Sequence, residues 1–224
     1  MRLTKHAHAC VRLEHDGTTI VVDPGMFCTP ADVAGADAVL ITHDHPDHYH
    51  PDALVGSSAP IYTVQAVADD LRGQAPELAE RVSVISPDQS WTVGPIGVTA
   101  VGELHAVIHE DLPRVHNSGY LLTLGDTVVY HPGDALTVPE ERHHLHHDQP
   151  RVDVLLAPVS APWMKVSEGI DFARAVGARR NVAIHDRVYS EMGLAVADGH
   201  FGRLLGANGQ DYVRLADGQD LPSS

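Results

Sequence analysis

Short apolar runs of the chain end, one after another, in histidine or aspartate. The run DAVLIT at 37–42 is followed by His43, and NVAI at 181–184 is followed by His185. IGVTAVGEL at 96–104 leads to His105, and TVVYHPG at 127–133 leads to Asp134. Such runs predict buried β-strands, and loops at strand ends are where a rigid scaffold presents chemistry. We therefore expect a fold whose sheet edges carry the polar groups.

Turn signals and helical spacing between these runs predict the rest of the fold. Asp16-Gly17 and Gly125-Asp126 separate pairs of apolar runs and favour tight hairpin turns, because these residues tolerate positive φ angles. SEGIDFARAVGA at 167–178 has helical spacing. Two strand-rich halves, each with helices, predict two sheets packed face to face and covered by helices. The length of 224 residues, 43% of them hydrophobic, predicts a single domain over 1–224.

Charge and cysteine content restrict the partners and the compartment. A formal net charge of -15 disfavours binding to nucleic acid and to anionic membrane surfaces. Cys10 and Cys28 lack C-x-x-C spacing, so neither a disulfide framework nor a thiolate zinc cage is expected. An apolar signal core and a run of about 18 apolar residues are both missing from the sequence. We expect a cytoplasmic protein without a membrane or nucleic-acid partner.

The segment THDHPDH at 42–48 concentrates metal-ligand side chains in one loop. Imidazole nitrogen and carboxylate oxygen suit zinc and similar first-row divalent ions. In an extended loop, His43 and His45 can surround one ion while Asp47 and His48 turn toward a second. A lone histidine is more often packed or solvated, but four such residues in an H-x-H-x-D-H pattern favour metal binding. Zinc is the expected ion, and manganese and iron accept the same donors.

Four motifs in this order resemble those of the metallo-β-lactamase-fold hydrolases. They are VVDPG at 21–25, THDHPDH at 42–48, YHPGDA at 130–135 and AIHD at 183–186. Within that superfamily the chain looks most like a small group of uncharacterised metal-dependent hydrolases related to ascorbate-6-phosphate lactonase. The resemblance covers nearly the whole chain. It implies an αββα sandwich of two mixed β-sheets flanked by helices.

The resemblance also implies a centre for two divalent metal ions. The ligands implied for the first ion are His43, His45 and His105. Those implied for the second are Asp47, His48 and His185, with Asp134 bridging both. Asp47 and Asp134 are the implied catalytic residues, because two close cations lower the pKa of a shared water and hold hydroxide for attack. Asp47 is placed to orient that hydroxide.

Several further residues have a site role and a structural role that the sequence leaves open. Asp23 either accepts a hydrogen bond from a metal-bound histidine or forms the turn before Pro24-Gly25. Asp186 is a second candidate acceptor. His8 either lines the pocket or packs on the first strand. His105 is favoured over His109 and His116 as the remaining ligand of the first ion, because it follows a strand directly, and His109 is assigned to the pocket.

The expected activity is hydrolysis of a small ester, lactone or phosphoester. A metal-dependent nuclease or phosphodiesterase is the first alternative, and a non-catalytic metal-binding scaffold is the second. The sequence does not assign the substrate, the oligomeric state, or the roles of four residues near the motifs: Arg114, Trp163, Lys165 and Arg187. Self-association into a homo-oligomer stays open. The histidine tract at 143–147 is expected to be an exposed loop without function.

Overall fold

A computed structural model describes residues 1–140 and 151–222 of the chain. Fourteen strands are found within these ranges. In chain order they are β1 (Arg2–Lys5), β2 (Val11–His15), β3 (Thr18–Val22), β4 (Ala38–Ile41), β5 (Ile61–Thr63), β6 (Val82–Val84), β7 (Ser90–Val93), β8 (Ile96–Val101), β9 (Gly119–Leu124), β10 (Thr127–His131), β11 (Val154–Pro158), β12 (Arg180–Ile184), β13 (Asp211–Val213) and β14 (Gln219–Asp220).

The strands form two mixed sheets. The first has the order β14-β1-β2-β3-β4-β5-β6, and the second has the order β13-β12-β11-β10-β9-β8-β7. Strands β3 to β6 are parallel, as are β10 to β13, whereas the remaining neighbours pair antiparallel. Both predicted hairpins are present, and Asp16 and Gly17 adopt the positive φ angles of 46° and 80° that the first turn requires.

Side-chain alternation along the strands builds three apolar layers. In β4, Ala38 and Leu40 face the core between the sheets, and Val39 and Ile41 face the helices outside. The outer helices of the first sheet are α1 (Pro30–Val33), α2 (Pro51–Leu54), α3 (Gln65–Gln74) and α4 (Pro76–Ala79). Those of the second are α5 (Val166–Val176) and α6 (Glu191–Gly206). The predicted αββα sandwich is confirmed.

Two parts of the fold differ from the sequence prediction. Helix α6 was not predicted, because glycines recur along EMGLAVADGHFGRLLG and lower its helix propensity. Packing of Leu194, Ala197, Phe201 and Leu205 on the second sheet compensates. Strand β8 ends at Val101 and not directly before His105. None of the helices in the described ranges is long and apolar enough to cross a membrane.

Candidate metal centre

The topology brings the polar loops to one edge of the sandwich. Strands β8 and β10 both pair antiparallel with β9 and therefore run in the same direction, as do β11 and β12. The loops after these four strands consequently leave the second sheet at the same edge. In the first sheet, the loops after β1, β3 and β4 share an edge for the same reason. Contacts between side chains from both sets of loops show that the two edges meet.

Two clusters of possible metal ligands lie side by side where the edges meet. The donor atoms within each cluster lie within 4.8 Å of one another. The first cluster contains His43, His45, His105 and Asp134, and the second contains His8, Asp47, His48 and His185. Seven of these eight residues are the ligands that the resemblance implied, and Asp134, implied to bridge both ions, is grouped with the first cluster.

Asp134 contacts both clusters. Its Oδ2 atom lies 3.2 Å from His105 Nε2 in the first cluster and 3.2 Å from His185 Nε2 in the second. Its Oδ1 atom lies 3.0 Å from His48 Nε2. The carboxylate is buried between the two sets of imidazoles.

Hydrogen bonds on the far side of the rings fix the orientation of His48 and His43. His48 Nδ1 donates to Asp23 Oδ2 over 2.7 Å, and Asp23 also accepts from the backbone N–H and the hydroxyl of Thr42. Because the Thr42 hydroxyl is used as a donor, its oxygen accepts from His43 Nδ1 at 2.9 Å. Asp23 is fully buried and fixes the loop at 42–48 through these hydrogen bonds. The Nε2 atoms of His43 and His48 are thereby directed into the centre.

Backbone carbonyl groups play the same part for two other histidines. His185 Nδ1 donates to the carbonyl oxygen of Ser160, and His105 Nδ1 donates to that of Ala106. The Nε2 atoms of both rings again point toward Asp134. His105 is positioned by the loop after β8 and not by the end of a strand. Its backbone N–H donates to the carbonyl oxygen of Val115, and the neighbouring Leu104 forms an isolated β-bridge with His116.

His8 differs from the other histidines in its hydrogen bonding. Its Nδ1 accepts the backbone N–H of Arg187, so the proton of the neutral ring resides on Nε2. That Nε2 donates to Asp47 Oδ2 over 3.0 Å. Burial lowers the pKa of His8 to about 4, which keeps the ring neutral. His8 therefore orients Asp47 and has no lone pair left for an ion in this tautomer.

Unpaired buried atoms indicate what the centre is built to hold. Among the described residues, the Nε2 atoms of His43, His48 and His185 and the Oδ1 atom of Asp134 are buried without a hydrogen-bond partner. Leaving such atoms unpaired costs about 1–3 kcal/mol each unless something else satisfies them. All four converge on the same place and are nitrogen and oxygen donors. The residues present therefore fit divalent cations.

The electrostatics of the centre also favour bound cations. Burial lowers the pKa of His43 and of His45, so both are neutral and able to ligate. Burial alone would raise the pKa of Asp134, but His48 and His185 hold it below its usual range. The pKa of His185 is about 9, because Asp134 outweighs the effect of burial on that ring. A bound cation would replace the proton that the His185 ring retains in the metal-free protein.

Two tight backbone approaches keep the loops in place. A Cβ atom on Gly25 would lie 2.0 Å from the backbone oxygen of Asp47, so VVDPG packs directly on the loop at 42–48. Gly133 has a φ of 62°, and a Cβ there would meet Asn117 Oδ1 at 2.3 Å. Asn117 accepts from the Asp134 backbone N–H and donates to Pro132, which sets the position of Asp134.

Some contacts of the centre were not assigned from the sequence. Trp163, which the sequence only placed near the site, donates its indole N–H to Asp134 Oδ2 over 3.0 Å. Asn117 carried no signal beyond a turn-like Asn-Ser-Gly. Arg114 donates to the carbonyl of His105, and Lys165 is exposed beside Glu168. Arg187 pairs with Asp217.

Two sequence-based assignments need correction. His109 does not line the cavity beside His105. It lies on the outer part of the loop with a side chain 61% exposed, and its Nδ1 accepts a hydrogen bond from the backbone N–H of Asp111. Asp186 pairs with the buried Lys5 at 2.6 Å and not with a histidine of the centre. The histidines at 143–147 lie outside the described residues.

Comparison with known proteins agrees with this architecture. Residues 2–185 match the family described as the beta-lactamase superfamily domain. Protein Rv0786c of Mycobacterium tuberculosis is 35% identical over 222 residues, which are 97% of each chain. A protein of Aeropyrum pernix described as a UPF0173 metal-dependent hydrolase is 31% identical over 59% of this chain and 61% of its own.

A solved structure shows the same fold. Igni18 from Ignicoccus hospitalis, described as a novel metallo hydrolase, superposes with a TM-score of 0.73 at 18% identity, covering 98% of this chain and 97% of its own. These descriptions agree with the enzyme class predicted from the sequence, a metal-dependent hydrolase. The match over residues 2–185 and the similarity to Rv0786c together show that this chain belongs to the β-lactamase superfamily.

Proposed function

We propose that the protein is a hydrolase that uses two divalent cations. The observation that carries the proposal is the buried carboxylate of Asp134, which contacts histidines of both clusters at 3.0–3.2 Å. The first cation would be held by His43, His45 and His105. The second would be held by Asp47, His48 and His185, with Asp134 shared between them. When bound, the cations would lower the pKa of a shared water toward neutrality and so supply hydroxide for attack on an electrophilic carbonyl or phosphoryl group.

The protein residues around the centre have separate tasks in this proposal. Asp47, with a side chain 27% exposed, is oriented by His8, so its carboxylate is placed to accept a hydrogen bond from the attacking water and to orient it. Asp23 and Thr42 keep the rings of His48 and His43 in the tautomer that leaves Nε2 free. In hydrolysis the bond to the leaving oxygen breaks, water adds its hydroxyl to the electrophile, and its proton passes to the leaving group.

Zinc is the proposed native ion. Five imidazoles and two carboxylates match the nitrogen and oxygen donors that zinc binds, and manganese and iron accept the same set. The proposed substrate is a small ester, lactone or phosphoester. A net charge of -15 supports small molecules over nucleic acids and anionic membranes. Cytoplasmic location and self-association into a homo-oligomer are further proposals.

The test is a hydrolase screen with Asp134→Asn as the matched variant. Asparagine keeps the shape of the side chain but lacks its charge and one acceptor oxygen. Zinc-loaded wild-type protein is screened against lactones, carboxyl esters, phosphoesters and mixed RNA. We expect turnover of a small substrate that falls by more than about 100-fold in the variant, since even supporting residues of a metal site cost 10–100-fold. Equal turnover by both proteins, at equal metal content, would exclude Asp134 from the reaction.

A further inference from the structure

We infer that the substrate is an uncharged carboxyl ester or lactone with a hydrocarbon chain, which rests on the proposed hydrolase function. A cavity of about 260 Å³ opens beside the first cluster, and its lining includes His45 and His105. The loop that follows β8 supplies the rest of the lining: Ala106, Ile108, Leu112, Pro113, Arg114 and Val115. This volume lies slightly below the ~300–1,000 Å³ typical of small-molecule sites, so it suits a small substrate. Most of this lining is apolar, and it also includes Arg114.

The apolar character continues outward from the cavity. Most of the exposed large apolar side chains of the described residues lie in loops at the same edge of the sandwich. They are Met26, Phe27, Leu104, Val107, Ile108, Leu112, Val138 and Val188. Phe27 packs on His8 with ring centroids 5.3 Å apart, so this apolar surface reaches the second cluster as well. Exposed apolar side chains gathered around a functional site indicate a ligand that covers them.

Charge at the opening argues against an anionic substrate. Two arginines next to residues of the centre already have partners: Arg114 donates to the carbonyl of His105, and Arg187 pairs with Asp217. Glu110 and Asp111 are exposed on the loop that lines the cavity. Glu110 and Asp111 would repel a phosphate or carboxylate group at the opening, and Arg114, which lines the cavity, already donates to the backbone carbonyl oxygens of His105 and Leu104. An uncharged ester or lactone meets neither obstacle.

The first test is a chain-length series of substrates. Zinc-loaded protein is assayed with 4-nitrophenyl esters from acetate to octanoate, and with bis(4-nitrophenyl) phosphate. Each methylene that enters the cavity is expected to raise kcat/KM by up to about fourfold, until the cavity is filled. Leu112→Ser and Ile108→Ser are expected to lower kcat/KM for octanoate more than for acetate. Val196→Ser, on the exposed face of α6, is the control and leaves the series unchanged.

A binding measurement separates this inference from the proposed function. Methyl ketones from 2-butanone to 2-decanone keep the carbonyl and the chain but cannot be hydrolysed, and their affinity is measured by calorimetry. Affinity that rises with chain length and falls in Leu112→Ser supports the inference, even if no ester is cleaved and the hydrolase proposal fails. Ester hydrolysis that is independent of chain length, or faster cleavage of the phosphodiester, would overturn the inference while leaving the hydrolase proposal intact.

Discussion

At the scale of single residues, the centre depends on which ring nitrogen carries a proton. Four histidines donate Nδ1–H to a fixed acceptor, which are Asp23, Thr42 and the carbonyls of Ser160 and Ala106. In the neutral form of each ring, Nε2 therefore carries no proton and is directed at the centre. His8 has the opposite tautomer because a backbone N–H occupies its Nδ1. This one difference in hydrogen bonding distinguishes His8, which orients the Asp47 carboxylate, from the four histidines that we propose as metal ligands.

Trp163 tests whether such supporting hydrogen bonds control the metal. Trp163→Phe removes the N–H that bonds Asp134 Oδ2 but keeps an aromatic ring in the same place. We expect metal affinity to fall by about 10–100-fold, as for other groups that orient metal ligands. A competition titration against a chromophoric chelator measures the change.

The control for Trp163 is the same substitution at a site without the bond. Trp91 stacks on Tyr62, and its indole nitrogen has no hydrogen-bond partner among the described residues. Trp91→Phe should leave metal affinity unchanged. An equal loss of affinity in both variants would mean that lost packing, and not the hydrogen bond to Asp134, weakens the site.

At the scale of elements, close contacts between loops position the side chains of the candidate metal centre. The loop after β3 crosses the loop at 42–48 so closely that only glycine fits at position 25. Asn117, next to β9, holds the loop that carries Asp134. The loops within each sheet edge are thus held against one another by contacts of the chain itself.

Gly25→Ala tests this locking. The added methyl would overlap the backbone of Asp47, so that loop must shift. We expect the free energy of unfolding to fall by about 1–3 kcal/mol, the usual cost of overpacking, and metal affinity to fall with it. Gly73→Ala in α3 has open space around the new methyl and should be neutral or stabilising by up to ~1 kcal/mol. Urea denaturation measures the free energy of unfolding of both variants. An unchanged value for Gly25→Ala would contradict the close approach of the two loops.

The sequence predicts what is local and misses what is long-range. The sequence predicts site roles for His43 and His185 because each follows an apolar run directly, and Asp16-Gly17 marks its own hairpin. The bond from Trp163 to Asp134 joins residues 29 positions apart, so no spacing rule detects it. Helix α6 was missed because its glycines weaken the local signal, and its stability comes from packing. His109 was misplaced because a loop's exposed and buried sides cannot be read from its residue order.

At the scale of the whole molecule, the centre couples stability to pH and metal. In the metal-free protein the folded pKa of His185 is about 9, above its unfolded value of about 6.5. A raised pKa stabilises the fold fully below about pH 6.5, and this contribution disappears as pH rises through about 9. The lowered pKa of Asp134 acts in the opposite sense, because its contribution is lost only when strong acid protonates the carboxylate.

These directions predict the thermal behaviour of the protein. Metal-free protein should lose several degrees of melting temperature between about pH 6.5 and about pH 9. Zinc affinity should rise over the same interval, because fewer protons must be displaced from the rings. Calorimetric scans with and without zinc measure both effects, with His185→Gln as the variant that removes the titrating group. A metal-free protein that becomes more stable toward pH 9 would contradict the charge pairing between His185 and Asp134.

The most direct test of the central claim is anomalous X-ray diffraction from crystals of the zinc-loaded protein, recorded at the zinc absorption edge. The account predicts two strong anomalous peaks on either side of Asp134. One should lie among the Nε2 atoms of His43, His45 and His105, and the other beside Asp47, His48 and His185. His8 should still donate to Asp47. A single peak, a peak bound by His8 Nε2, or peaks only outside this centre would contradict the two-cation account.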